Sequence, residues 1–178
     1  MLNVIGVDQI RALQKIAVEE TRLGIPLIFG HDVIHGYKTI FPIPLAESCS
    51  WDLELMEKSA RVAATEASAD GLNWTFAPMV DISRDARWGR VMEGAGEDPF
   101  LGSLIAKARV NGFQGNNLSD QNTIVACAKH FVAGSEPVNG LNVSPMDISE
   151  RSLREIYLKP FKRAVDAGVY SVMAAHNE

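Results

Sequence analysis

Apolar residues gather into four compact runs, separated by longer stretches in which they recur every three or four positions. The runs are Ile25 to Gly30, Thr75 to Val80, Thr123 to Ala128 and Ser171 to Ala175. Each is short and continuous rather than alternating, which predicts strands covered on both faces. The intervening stretches predict amphipathic helices. Val7 to Glu20 sets Ile10, Leu13 and Ala17 on one face. Asp52 caps a helix predicted to run to Gly71, with Glu54 in the first turn, where the helix dipole favours an acid. Asp98-Pro99 supplies a cap and then a proline at the first helical position, for a helix ending near Gly112. Ser149 caps the last, with Leu153, Ile156 and Tyr157 inward and Gly168 at the exit. Pro160 removes one backbone donor there and is expected to kink it.

Strands alternating with helices imply an α/β fold with parallel strands joined by right-handed crossovers. A doubly wound sheet and a (β/α)8 barrel both fit this pattern. No G-x-G-x-x-G follows a strand, which weighs against a dinucleotide-binding sheet. The polar clusters all follow strand ends, where both architectures keep their sites. Four strands cannot close a barrel of eight, and a complete one takes about 250 residues. The 178 residues end directly after a strand. Residues 1–178 are therefore expected to form one domain that is a fragment, truncated at both ends. Its first and last strands, Ile25 to Gly30 and Ser171 to Ala175, would be unpaired edges, so the fragment is expected to self-associate.

Composition narrows the partners. Apolar residues make up 47% and charged residues 22%, ordinary for a soluble globular protein. A net charge of −5 argues against nucleic acid or an anionic membrane as the main partner. No apolar run approaches the length that spans a bilayer. The first twenty residues are charged throughout and contain no signal-peptide core, which leaves the compartment open. Cys49 and Cys127 lie far apart with no metal or redox spacing and read as two isolated buried thiols.

Three polar motifs carry candidate chemistry. The first, Gly30-His31-Asp32-Val33-Ile34-His35-Gly36, follows a strand and closes on glycine. Asp32 can accept two hydrogen bonds from neighbouring hydroxyls of a sugar, or it can pair with a nearby arginine. His31 and His35 stand at i, i+4, but off a helix and with Asp where H-E-x-x-H needs Glu, so no metal is expected. The second motif runs from Arg84-Asp85-Ala86-Arg87-Trp88-Gly89-Arg90 to Gly96-Glu97-Asp98-Pro99. Residues 81 to 98 hold eight charged groups in eighteen positions, an unusual load for a loop and a mark of function. Arg90 can donate two bonds to a diol or to Asp32. Arg84, Arg87, Glu93 and Glu97 read as an internal ion-pair frame, and Trp88 either as buried support or as a stacking plane for a sugar. The third motif is Ala128-Lys129-His130-Phe131. Lys129 and His130 can both reach one pocket only where the strand ends or bulges, because successive side chains otherwise face opposite ways.

Together, and in this order, the motifs resemble the N-terminal barrel domain of glycoside hydrolase family 3, the β-glucosidase and β-xylosidase family. The resemblance runs from about residue 21 to residue 178 and favours the barrel: a partial (β/α)8 barrel of about four βα units. It implies that Asp32, Arg90, Lys129 and His130 bind the terminal sugar of a β-glucoside or oligosaccharide, and that no cofactor takes part. It also implies that no catalytic carboxylate is present. The family's nucleophile is an Asp after a later strand, and its acid/base lies farther on, both beyond Glu178. Retaining hydrolysis needs two such carboxyl groups roughly 5 Å apart.

The hexosaminidase branch of the family follows Lys-His-Phe with a loop carrying a catalytic histidine. Here the loop reads Val132-Ala133-Gly134-Ser135-Glu136, which fits the glucosidase/xylosidase branch. Many bacterial relatives then carry Gly-Gly-Arg-Asp-Tyr, where this chain has Asn139-Gly140-Leu141-Asn142. His176-Asn177 ends the fourth run at pocket depth. The resemblance implies part of an exo-acting β-glucosidase. A β-xylosidase is the alternative enzyme, and a non-catalytic carbohydrate-binding or scaffold protein is the alternative outside enzymes.

Overall fold

The computed structural model describes residues 1–177. In chain order the elements are α1 (Val7–Lys15), β1 (Gly30–His31), α2 (Pro44–Ser48), α3 (Leu53–Ala69), β2 (Trp74–Thr75), α4 (Pro99–Gln114), β3 (Cys127–Phe131), α5 (Glu150–Ser152), α6 (Leu158–Asp166) and β4 (Ser171–Ala174). The strands pair in parallel, β1 with β2 and β3 with β4. Parallel bridges Trp74–Val125 and Met79–Lys129 join β2 and its continuation to the β3 segment. The succession is thus parallel throughout and follows chain order. That is an α/β fold, with helices connecting neighbouring strands.

The caps sit where the sequence predicts them. The Asp52 carboxylate accepts from the Leu55 amide and the Asp98 carboxylate from the Phe100 amide, satisfying donors that each first turn leaves free. Ser149 accepts from Ser152. The expected kink before Pro160 takes the form of a wide turn over Leu153–Tyr157, in which the Leu158 amide reaches back to the Leu153 carbonyl. A single-turn bulge of this kind accommodates a missing donor without breaking the helix.

Strand lengths depart from expectation, and each departure has a local cause. Residues 25–29 do not enter the ladder. Pro26 has no donor to give, Leu27 exchanges hydrogen bonds with the Gln14 amide side chain, and the Phe29 amide donates to the Asn73 side chain. Of Thr75 to Val80, only Thr75 lies in a strand, and pairing resumes as a single bridge at Met79. The third strand runs later than expected, into Phe131. The expected free edge at the first strand is also corrected. Gly30 pairs with Trp74 on one side and with Leu2 on the other; Gly30 N donates to Met1 O (2.8 Å) and Asn3 N to Gly30 O (3.0 Å). Among the described residues, the far side of β4 has no such cover.

The core lies between the strands and helices α3, α4 and α6. Phe29, Ala126, Ala128, Val110, Phe113, Phe161 and Ala60, Ala63, Ala64 and Ala67 of α3 form one buried cluster. The alanines let α3 and α4 approach closely. At the crossing, a Cβ added to Gly112 would stand 2.5 Å from Ala60 Cβ and 2.5 Å from the Glu57 carbonyl oxygen. Beside this contact, Arg109 and Glu47 form a buried ion pair linking α4 to α2, and Arg109 also donates to the Ile34 carbonyl (3.0 Å) in the loop that carries Asp32.

Gly112→Ala is expected to destabilise the protein by about 1–3 kcal/mol, because a backbone carbonyl cannot rotate out of the way as a side chain can. Urea denaturation checks it; a variant as stable as the parent would show that the two helices separate at no cost.

Candidate functional site

Three segments deliver the site, each at the C-terminal end of a parallel strand. Asp32 follows β1 directly. Asp81 ends the continuation of β2, and the loop after it carries Trp88, Arg90 and Glu93 through two short helical turns, Ala86–Trp88 and Val91–Glu93. Lys129 and His130 lie on β3. Arg90 and His130 line one cleft with Trp88, Asn142 and His176, and Asp32 lines another with His31, His35 and Asp70.

The strand bulges where two neighbouring side chains must serve one site. Lys129 is in register with Met173 and Phe131 with Ala174, so His130 is the extra residue. Both side chains consequently turn inward. Lys129 is only 4% exposed, and its ammonium lies 2.7 Å from Asp32 Oδ2 and 3.8 Å from Glu93 Oε2. An ammonium this deep is tolerated only because carboxylates face it. Glu93 in turn accepts a bidentate fork from Arg90: Nε to Oε1 at 2.6 Å and a terminal nitrogen to Oε2 at 2.8 Å. Arg90 also stacks toward the Trp88 ring, 5.8 Å from its centroid. Trp88 is buried, and its indole N–H donates to Asn142 Oδ1 (2.8 Å).

His130 is held from behind. Both its backbone amide (3.0 Å) and its ring Nδ1 (2.9 Å) engage Asp81 Oδ2, and the Asp81 side chain is fully buried. Among the described residues, the other carboxylate oxygen of Asp81 has no hydrogen-bond partner.

The four residues expected from sequence thus stand on one side of the fold, three of them within a single charge network. Asp32 pairs with a lysine, not with an arginine, and remains 39% exposed while doing so. The ion-pair frame expected of Arg84, Arg87, Glu93 and Glu97 is not formed. Arg87 pairs with Asp85 on the surface, Arg84 contacts the Tyr157 hydroxyl, and Glu97 is exposed. Glu93 belongs to the site instead, as the shared counter-ion of Arg90 and Lys129. Asp81 escaped notice in the sequence; its position immediately after a strand was the available signal. Of the two histidines weighed as metal ligands, His31 Nδ1 is paired with Asn3 Oδ1 and His35 Nδ1 with the Phe41 carbonyl. Of the two cysteines, Cys127 is buried as expected but Cys49 is exposed.

Burial works to raise the Glu93 pKa, yet the Arg90 hydrogen bonds and the charges of Arg90 and Lys129 outweigh it, and the carboxyl lies below its ordinary value of 4.5. The bond to Glu93 correspondingly raises Arg90.

Residues 3–178 match the N-terminal domain of glycosyl hydrolase family 3, and the chain belongs to that family. It is 41% identical, over 99% of its length, to a periplasmic beta-glucosidase of Salmonella typhimurium, of which it covers 23%. It is 39% identical to a beta-xylosidase of Formosa agariphila, aligning over 96% of this chain and 25% of that one. A beta-glucosidase from Listeria innocua, solved in complex with glucose, superposes on 99% of the chain with a TM-score of 0.95 and 46% identity; 25% of that protein is covered. The chain thus spans about a quarter of the length of these relatives.

Because folding depresses the Glu93 carboxyl, its ion pairs stabilise the fold fully above its unfolded value, near 4.5, and the contribution fades as pH falls from there through the lower folded value. Glu93→Gln is therefore expected to be less stable than the parent at pH 7, with the gap closing toward pH 3. A gap independent of pH in denaturation curves would contradict the charge assignment.

Proposed function

We propose that this chain is the first part of a (β/α)8 barrel, and that it supplies the sugar-binding half of the active site of a retaining, exo-acting β-glucosidase. The observation that carries the reading is the Asp32–Lys129–Glu93–Arg90 network beside His130. Its acceptors and donors alternate, and a sugar ring with vicinal hydroxyls needs that alternation. Ion pairing pre-orders the long lysine and arginine side chains, so less entropy is lost when the ligand arrives. The partly exposed Asp32 is the acceptor still open to solvent. The Listeria relative, solved with glucose, supports a glucoside as the substrate class. A β-xylosidase is the second reading, supported by the Formosa relative.

In this reading the chain binds and orients the terminal sugar, and the nucleophile and acid/base come from residues after Glu178. None of Asp32, Asp81 or Glu93 is free to attack: each is committed to a cation or to His130. The hydrolysis needs no metal or cofactor. The far side of β4, uncovered among the described residues, supports self-association of the isolated chain.

Two outcomes test this. In the full-length protein, Asp32→Ala is expected to lower kcat/KM on an aryl β-glucoside by about 10² to 10⁴, from one or two charge-assisted bonds of about 1.5–3 kcal/mol each. Arg87→Ala, at the surface pair, should leave kcat/KM nearly unchanged. A folded Asp32→Ala protein with normal kcat/KM would remove Asp32 from the sugar. The isolated 178-residue chain should release no phenol from the same substrate, and turnover on the order of 1 per second would refute the division of labour.

A further inference from the structure

Resting on the sugar-site reading, we propose that Asp81 is a positioning residue that fixes the His130 imidazole with its proton on Nδ1, so that His130 reads a sugar hydroxyl through Nε2 as a hydrogen-bond acceptor. Asp81 Oδ2 accepts from the His130 amide at 3.0 Å and faces Nδ1 at 2.9 Å. An ionised carboxylate can only accept, so the ring nitrogen it faces carries the proton. The neutral ring then has one nitrogen left, Nε2, and that nitrogen has a lone pair. Holding the backbone and the ring with a single oxygen also removes the freedom of His130 to flip. A fully buried carboxylate with one oxygen unpartnered among the described residues is costly, and the double grip on His130 is the interaction that offsets it.

The consequence is a polarity rule for the ligand. Lys129, next in sequence, offers only donors through its ammonium. The hydroxyl it meets must accept, whereas the hydroxyl at His130 must donate. Adjacent residues therefore read hydroxyls with opposite hydrogen-bond sense, which suits a vicinal diol and rejects a group that can only accept.

The test uses competitive inhibition of the full-length protein by glucose and by its monodeoxy and monodeoxyfluoro analogues. A fluorine at most accepts a hydrogen bond; it cannot donate. His130→Ala identifies the hydroxyl in question, as the ring position whose removal no longer weakens binding. At that position the parent protein should bind the deoxy and fluoro analogues equally poorly, each about tenfold weaker than glucose. Asp81→Ala should lose this discrimination, because the ring can then carry its proton on Nε2. Asp81→Asn, which keeps an oxygen in place of Oδ2, should restore it. Fluoro-analogue binding as tight as glucose in the parent, or an unchanged discrimination in a folded Asp81→Ala variant, would overturn the proposal. If no ring position depends on His130, the sugar-site reading itself fails, and that result is distinct from a failure of Asp81 alone.

Discussion

Lys129 is an ammonium group removed from water, and the surrounding structure answers to that fact. An unpaired charge at such depth would cost several kcal/mol, so carboxylates must come to it. Asp32 and Glu93 do, from loops after two other strands, and Glu93 brings Arg90 with it. The network joins segments nearly a hundred residues apart. Loss of Glu93 would deprive Arg90 of its carboxylate and loss of Lys129 would deprive Asp32 of its cation, so ion pairs of the fold itself, rather than the ligand, hold the geometry of the site.

Parallel strands make this convergence possible. When neighbouring strands run the same way, their C-terminal ends lie along one edge, and the loops that follow emerge side by side. The bridges from Leu2 through β1, β2 and β3 to β4 hold that edge together, and close packing at Gly112 sets the helices behind it. The bulge at His130 then turns two adjacent side chains to the same side. Behind them Asp81, wholly buried, orients the imidazole. Each level depends on the one below: strand order places the loops, the bulge aims the side chains, and ion pairs fix their positions.

Much of this was legible in the sequence, for identifiable reasons. Helix starts at Asp52, Asp98 and Ser149 are local chemistry, a side-chain oxygen and the free amides one turn away, so a single chain displays them. The candidate site residues were legible because they come in short motifs at strand ends. Strand extents were not, since Gln14 and Asn73 satisfy the backbone of Leu27 and Phe29 from distant positions. The roles of Glu93 and Asp81 were hidden for a similar reason. A charged loop shows its charges but not their partners, and Glu93 finds Lys129 only through the tertiary fold. The same holds for Leu2, whose pairing with Gly30 covers an edge that looks bare in sequence.

A crystal structure of the full-length protein with glucose bound tests the central claim most directly, namely that the ion-paired network is a preformed sugar site. The account predicts glucose hydroxyls within hydrogen-bond distance of Asp32, Arg90, Lys129 and His130, with the Lys129–Glu93–Arg90 arrangement kept. Glucose bound elsewhere, or a network that must break apart to admit it, would contradict the account.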